Sequence, residues 1–557
     1  MPKSKRQGKN QPKKQAKAQA SPLSLKEQLV QKRKAAKERQ EFISFTTATV
    51  FASLVLGILL FPIGGAKAAG GAIGTILCLA FSYKYPRKAL WGFLIYMPFS
   101  GTVTYALAGG NTLFQLAKDS FYIPALLALV QECFQKRLPI LLPKGLKPSL
   151  IILLICVVLT LLVANGSQQF SPSRGDDKPL AMGILGLKVL LGYLPLITCA
   201  YYLIRTKQEL LFLTRLHVIL AIVCCGLGFI QYWMLLTDRC HGTRGLVGDA
   251  LFKASLEARC FVGGSLLYTP EEGVIRLPGT FVAPWQWGWF LISNAFFTYA
   301  SAFSDPSAFV WRPIGLVGMA AVFVMALISG QRIALALVPL VTVILLILTG
   351  QVTNLKRFLP IAAGLGLVIA IAFILFPDLV QERVDSFVGR WNASPPTEFI
   401  SDQAEFTSKG GSFFGNGVGR ATNSTRFFGN TVLIETYYPK LLYEIGPLGV
   451  LGFLGLVTTL TVITFKAYRS VKDKNLRSFG ASFWVFVLVI SYNTYYYPLD
   501  VDPVAVYYWF FAGVILKLPE IDRQEQEKLM AGQDNEFPPQ KQRGLKASRR
   551  RFRAKTP

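Results

Sequence analysis

Apolar residues run through this chain in continuous stretches of about twenty, each long enough to cross a hydrocarbon core of ~30 Å. The stretches fall at 43–62, 66–83, 89–108, 113–133, 148–164, 181–203, 209–236, 281–303, 312–329, 333–349, 358–376, 441–466, 480–497 and 503–517, fourteen in all. Short segments alternating apolar and polar, which a membrane barrel needs, are absent. The predicted fold is therefore all-α, a polytopic membrane protein with about fourteen transmembrane helices. Most connections between the stretches are short. Three longer polar segments stand out, 165–180, 237–280 and 377–440, and a loop as long as the last inside a membrane protein is either disordered or a lid or site.

Charge orients the helices. With the basic N-terminus inside, Lys84/Arg87/Lys88, Lys136/Arg137/Lys144, Arg205/Lys207, Lys356/Arg357 and Lys466/Arg469/Lys472/Lys474/Arg477 all fall inside as well. The positive-inside rule is then obeyed at nearly every turn, and the three long loops face outward. An even number of spans also returns the C-terminus to the cytoplasm. The organisation expected is a basic cytoplasmic tail at 1–42, a membrane domain at 43–517 with external loops 237–280 and 377–440, and a second basic cytoplasmic tail at 518–557. The net charge of +28 invites a nucleic-acid reading, but it is concentrated at the ends. Residues 1–40 hold thirteen basic against two acidic residues, and 541–557 hold eight basic and no acidic ones. Such tails dock on anionic lipid, so no nucleic-acid partner is expected. The first apolar run begins only at Ile43 and has no small-residue cleavage site, which predicts no cleavable signal peptide.

Five of the eight cysteines lie within predicted spans and Cys133 lies near the inner face; only Cys240 and Cys260 share an external loop. A disulfide between those two would close about twenty residues and stabilise the loop by roughly 3 kcal/mol. His241 beside Cys240 lacks the CxxC or HxxxH spacing of a zinc site, so no metal is expected. Trp285, Trp287, Trp289, Tyr437, Tyr438 and Tyr495–Tyr497 fall at predicted outer span ends, where an aromatic belt sits and where rings also stack on sugars. Asn165-Gly-Ser, Asn392-Ala-Ser and Asn423-Ser-Thr match glycosylation acceptors.

Charges inside a bilayer cost several kcal/mol unless they are paired. Lys118 and Asp119 can neutralise one another, whereas Lys188 lies about 10 Å below the outer end of its helix and is a candidate substrate contact. Arg332, in Ser329-Gly-Gln-Arg332, and Arg276, in Arg276-Leu-Pro-Gly-Thr-Phe281, each stand beside a span, either as interfacial anchors or as two guanidinium forks at one external mouth. The second arrangement suits bidentate binding of a pyrophosphate.

Those two motifs, then Gly415-Asn-Gly-Val-Gly419 in the long loop and Glu444-Ile-Gly446-Pro-Leu-Gly449 at its close, occur in an order that resembles the O-antigen ligase/polymerase-like membrane glycosyltransferases of bacteria. The likeness covers roughly residues 180–470. Gly415–Gly419 alone is no nucleotide cradle, since it lacks the Lys-Ser/Thr of a phosphate loop. The resemblance implies a type C glycosyltransferase-like fold in the bacterial cytoplasmic membrane, acting at its outer face on glycans carried on polyprenyl pyrophosphate. Ligases of this family commonly carry a His-Asn pair ahead of the closing Glu; here the position is Glu435-Thr436. A carboxylate can take a proton from a sugar hydroxyl if its surroundings raise its pKa toward the working pH.

Pro439 suits a first helical turn, so Glu435 should lie in the loop above the helix and Glu444 about a turn inside it. Glu435 is the candidate base and Glu444 a supporting group. Arg276 and Arg332 are the candidate pyrophosphate clamp, with Arg420, Arg426 and Tyr438 as further substrate contacts. The glycines at 410, 411, 415, 417, 419 and 429 would give the loop hinges. The expected activity is inverting polymerisation of lipid-linked repeat units, with no cofactor, and with polysaccharide-export or chain-length proteins as possible partners. Ligation to another acceptor, solute or ion transport, and scaffolding of other envelope enzymes remain the alternatives.

Overall fold

The computed structural model describes residues 25–536, apart from 111–113, 115–116, 141–142, 172–176, 271–272, 411 and most of 352–393. The expected span 358–376 and the first part of the long loop lie outside the described residues. Among the described residues nine helices are long and apolar enough to cross a membrane: Lys32–Pro62, Gly64–Lys84, Leu146–Gln169, Pro179–Leu203, Lys207–Leu236, Ala308–Ile328, Tyr437–Ser470, Lys474–Tyr492 and Val504–Ala531. The protein is a multi-pass, all-α membrane protein. Among the described residues its only sheet is an antiparallel hairpin in which Leu267–Thr269 pairs with Val274–Arg276.

The chain divides into Met1–Ala80 and Phe81–Pro557. In the first unit a single helical run breaks at Gly65, whose φ of 66° is open to glycine, shortly after Pro62. Two candidate spans result.

In the second unit the Pro284–Ser304 helix is the central post. It packs on Ala308–Ile328, Lys207–Leu236, Arg332–Leu348 and Lys474–Tyr492. It was expected as a span but is not among the nine, because Gln286, Asn294 and its Trp, Tyr, Thr and Ser residues lower its hydropathy; Trp287, Trp289, Phe290, Phe296 and Phe297 are all fully buried. Trp287 and Trp289 are therefore core residues rather than parts of an aromatic belt. The expected span at 113–133 is the helix Ala117–Gln135, which carries Lys118, Asp119 and Glu132. The one at 89–108 is Pro86–Tyr96, followed by the short helical turns Met97–Phe99 and Thr102–Leu107. Arg332–Leu348 is apolar but shorter than a full span.

The intramembrane charges pair differently from their order in the chain. Lys118 pairs with Asp502 and Lys188 with Asp119, so the expected Lys118–Asp119 neutralisation gives way to two ties between distant segments. A third pair joins Lys440 to Asp500. The Lys118–Asp502 and Lys440–Asp500 pairs hold the turn between the last two helices, 498–503, against its neighbours. The final helix continues to Glu536, past the expected tail boundary at 518, on a run of good helix formers after Pro519.

Candidate functional site

Arg276 and Arg332 reach one place because their turns are locked backbone to backbone. Leu277 donates its N–H to the Ser329 carbonyl at 3.0 Å. Gly330, at φ 70°, lies so close to the hairpin that a Cβ there would stand 1.7 Å from the Ile275 carbonyl oxygen. Only glycine admits this approach. Arg332 opens the Arg332–Leu348 helix one residue beyond the turn, and Arg276 ends the second strand. The Arg276-Leu-Pro-Gly-Thr-Phe281 stretch is fixed from its other side as well. Gly279, at φ 55°, faces the buried Trp287 ring, and the Thr280 carbonyl accepts from Gly101 N at 3.0 Å.

The end of the long loop is ordered. The helix Pro396–Lys409 comes first, then the Gly415–Gly419 coil, the short helical turn Asn423–Phe428, and the extended Glu435-Thr436 that enters the Tyr437–Ser470 helix. That helix is broken at Gly446, φ 68°, ahead of Pro447, and the glycine coil fills the break. A Cβ on Gly446 would meet the Phe413 carbonyl oxygen at 2.3 Å, and one on Gly415 would meet the Glu444 carbonyl oxygen at 2.3 Å. Asn416 N and Gly417 N donate to the Tyr443 and Glu444 carbonyls at 2.7 and 3.2 Å. The motifs at 415–419 and 444–449 are thus two halves of one joint. Gly415, Gly417 and Gly419 each serve close approach at this joint, Gly415 on the Glu444 carbonyl and Gly419 on the Met182 carbonyl.

Glu444 is buried inside this joint. Its Oε1 accepts from Ala421 N at 2.8 Å and from the Thr422 hydroxyl at 2.9 Å, and Lys440 lies 4.0 Å from its other oxygen. Arg420 is also buried: its Nη1 bonds Asp177 at 2.9 Å and its Nε bonds Gln168 Oε1 at 2.9 Å, so both hold the loop to the preceding helices. Lys188 is committed to Asp119, and the Tyr438 hydroxyl donates to the Ser491 carbonyl. Arg420, Lys188 and Tyr438, expected as substrate contacts, and Glu444, expected as a supporting group, are all placed as supports.

Glu435 is placed differently. It is half-buried, its backbone N–H donates to Gln403 Oε1 at 3.2 Å, and Thr436 bridges to Tyr495. Burial raises the Glu435 carboxyl above its ordinary pKa, and the positive charge of Arg276 opposes the rise. Arg332 acts on Tyr495, while Glu435 and Arg426 both act on Tyr497. Burial raises both phenols, so at neutral pH they are uncharged donors. Exposed Arg426 is turned in by two bonds to Asn423, whose amide reaches the Tyr497 hydroxyl at 3.3 Å. These charge effects link Glu435, Arg276, Arg332, Arg426, Tyr495 and Tyr497 electrostatically into one candidate mouth, an acid of raised pKa among basic and phenolic groups. Among the described residues no three His, Cys, Asp or Glu side chains gather as metal ligands.

Sequence reasoning missed three parts of this site. Gln403 lies on the helix inside the long loop and holds the Glu435 backbone, and Phe399 on the same helix stands edge-on to Tyr495 at 5.9 Å. Asp177 is the counter-ion of Arg420. Asn165, read as an external glycosylation acceptor, is fully buried and bonds Val418 through both side-chain ends at 2.8 and 3.0 Å. Its one signal was an amide at the end of an apolar run. No protein-family model matches the chain, and no curated protein matches it in sequence.

Proposed function

We propose that the protein polymerises polyprenyl-pyrophosphate-linked oligosaccharide repeats at the outer face of the bacterial cytoplasmic membrane, as an inverting glycosyltransferase that needs no metal. The reading rests on one observation: a carboxyl raised by burial shares a mouth with Arg276, Arg332 and Arg426. Arg276 and Arg332 bind the donor pyrophosphate, and Arg426 at the exposed rim assists. Glu435 takes the proton of an acceptor hydroxyl. The acceptor oxygen bonds the anomeric carbon as the bond from that carbon to the phosphate oxygen breaks, with inversion. The electron pair leaves with polyprenyl pyrophosphate, whose charge the guanidinium groups offset. The lipid-linked glycan arrives from the outer leaflet, and both basic tails lie on anionic lipid in the cytoplasm. The Cys240–Cys260 disulfide supports an outward 237–280 loop, since such bonds persist in oxidising compartments.

Purified protein given a lipid-pyrophosphate repeat unit is expected to yield a ladder of lengthening products, and Glu435→Gln to abolish it. A single product on a second acceptor would make the protein a ligase. Solute flux without any ladder would make it a transporter, a reading that the pairing of Lys118, Asp119 and Lys188 disfavours because those charges are already matched.

A further inference from the structure

The 240–260 segment leaves the outer end of the Lys207–Leu236 span, and its Cys240–Cys260 disulfide holds its two Cα ends 5.6 Å apart. The ten-residue helix Gly248–Glu257 inside it is thereby tied to the end of that span. At 100° per residue the helix shows three faces. Leu251 and Ser255 turn inward and are buried. Asp249, Lys253 and Glu257 form an exposed charged face. Between these lie Phe252, 62% exposed, and Leu256, 61% exposed, with Val247 at the helix start also 62% exposed. A soluble loop has little reason to present large apolar side chains side by side beside a charged stripe. A helix lying at a bilayer surface beside its own protein needs this order of faces: protein, acyl chains, headgroups.

Both ends of the segment carry the marks of that level. Arg239 lies 4.5 Å over Trp233, in the last turn of the span, and Arg259 lies 4.4 Å over Tyr105. Trp233 and Leu236 are themselves exposed, so the apolar surface of the span reaches the end from which this segment departs. We propose that the Gly248–Glu257 helix lies in the outer membrane–water interface, with Phe252 and Leu256 inserted among phospholipid acyl chains. It is a lipid-binding surface rather than part of an aqueous loop.

The test places p-benzoylphenylalanine at 252, at 256 and, as the charged-face control, at 253 in the full chain. Each protein is reconstituted in nanodiscs of phosphatidylethanolamine and phosphatidylglycerol and irradiated. Phospholipid adducts at 252 and 256, several-fold above 253, are expected by mass spectrometry. A cross-linked dimer at 252 and 256 would assign the face to a second copy and overturn the proposal, as would equal yields at all three positions. An intact Cys240–Cys260 bond in each labelled protein shows that the segment has folded.

Discussion

At Glu435 burial and Arg276 act in opposite directions, and the balance decides at which pH the carboxyl loses its proton. Burial is the larger influence, so the carboxyl holds its proton to higher pH than an exposed glutamate. The proposed transfer needs the deprotonated form and is therefore expected to fall as pH drops through a range above that of an ordinary carboxylate. Arg276→Gln removes the opposing charge. It should move the acidic limb of the pH–rate profile to still higher pH, besides slowing transfer by about 10²–10³ through the lost donor; an unmoved limb would separate Arg276 from the base. Stability follows the opposite sign. A carboxyl whose folded pKa is raised binds its proton more tightly when folded, so this group supports the fold fully below its unfolded pKa. That support is lost as pH rises through the folded value. Glu435→Gln should accordingly abolish transfer while making the protein no less stable at neutral pH, which thermal unfolding in detergent can check.

The elements show why some of this was legible in the sequence and some was not. Arg276 and Arg332 were found because each stands in a glycine-bearing turn beside an apolar stretch. The contact that brings them together, Gly330 on the Ile275 carbonyl, depends on tertiary packing across about fifty residues. The aromatic run at 285–289 has the composition of an interfacial belt, and only the helices around it show that Trp287 and Trp289 face protein. Lys118 finds Asp502 instead of its neighbour Asp119 because successive residues of a helix point in different directions. Two substitutions test the joints. Gly330→Ala cannot fit against Ile275 without parting the two arginine turns, so it should cost transfer activity more than folding, seen as a lowered kcat/KM in protein that still purifies as a monodisperse species. Lys440→Met leaves Asp500 buried without its cation, and breaking such a pair costs about 3–5 kcal/mol. That variant should lose thermal stability outright, and an unchanged Tm would remove the pair from any role in holding the 498–503 turn.

Over the whole molecule, the charge that dominates the composition lies far along the chain from the mouth that would do the chemistry. Nineteen of the twenty-eight net positive charges belong to residues 1–40 and 541–557, while the mouth draws on the segments around 276, 332, 426, 435 and 495–497. If the tails serve only as electrostatic anchors, each basic residue near an anionic leaflet contributes about 1 kcal/mol at low salt, and added salt screens the attraction. Deleting both tails should then leave repeat-unit transfer in detergent unchanged. In liposomes containing phosphatidylglycerol, synthetic peptides of the two tails should bind at low salt and release as ionic strength rises. A scaffold for other envelope enzymes predicts the reverse pattern: transfer in cells lost with the tails, and peptide binding to membrane proteins that persists in high salt. Comparing the tailless protein in cells and in purified form separates the two, because an enzyme carries its mouth with it and a scaffold does not.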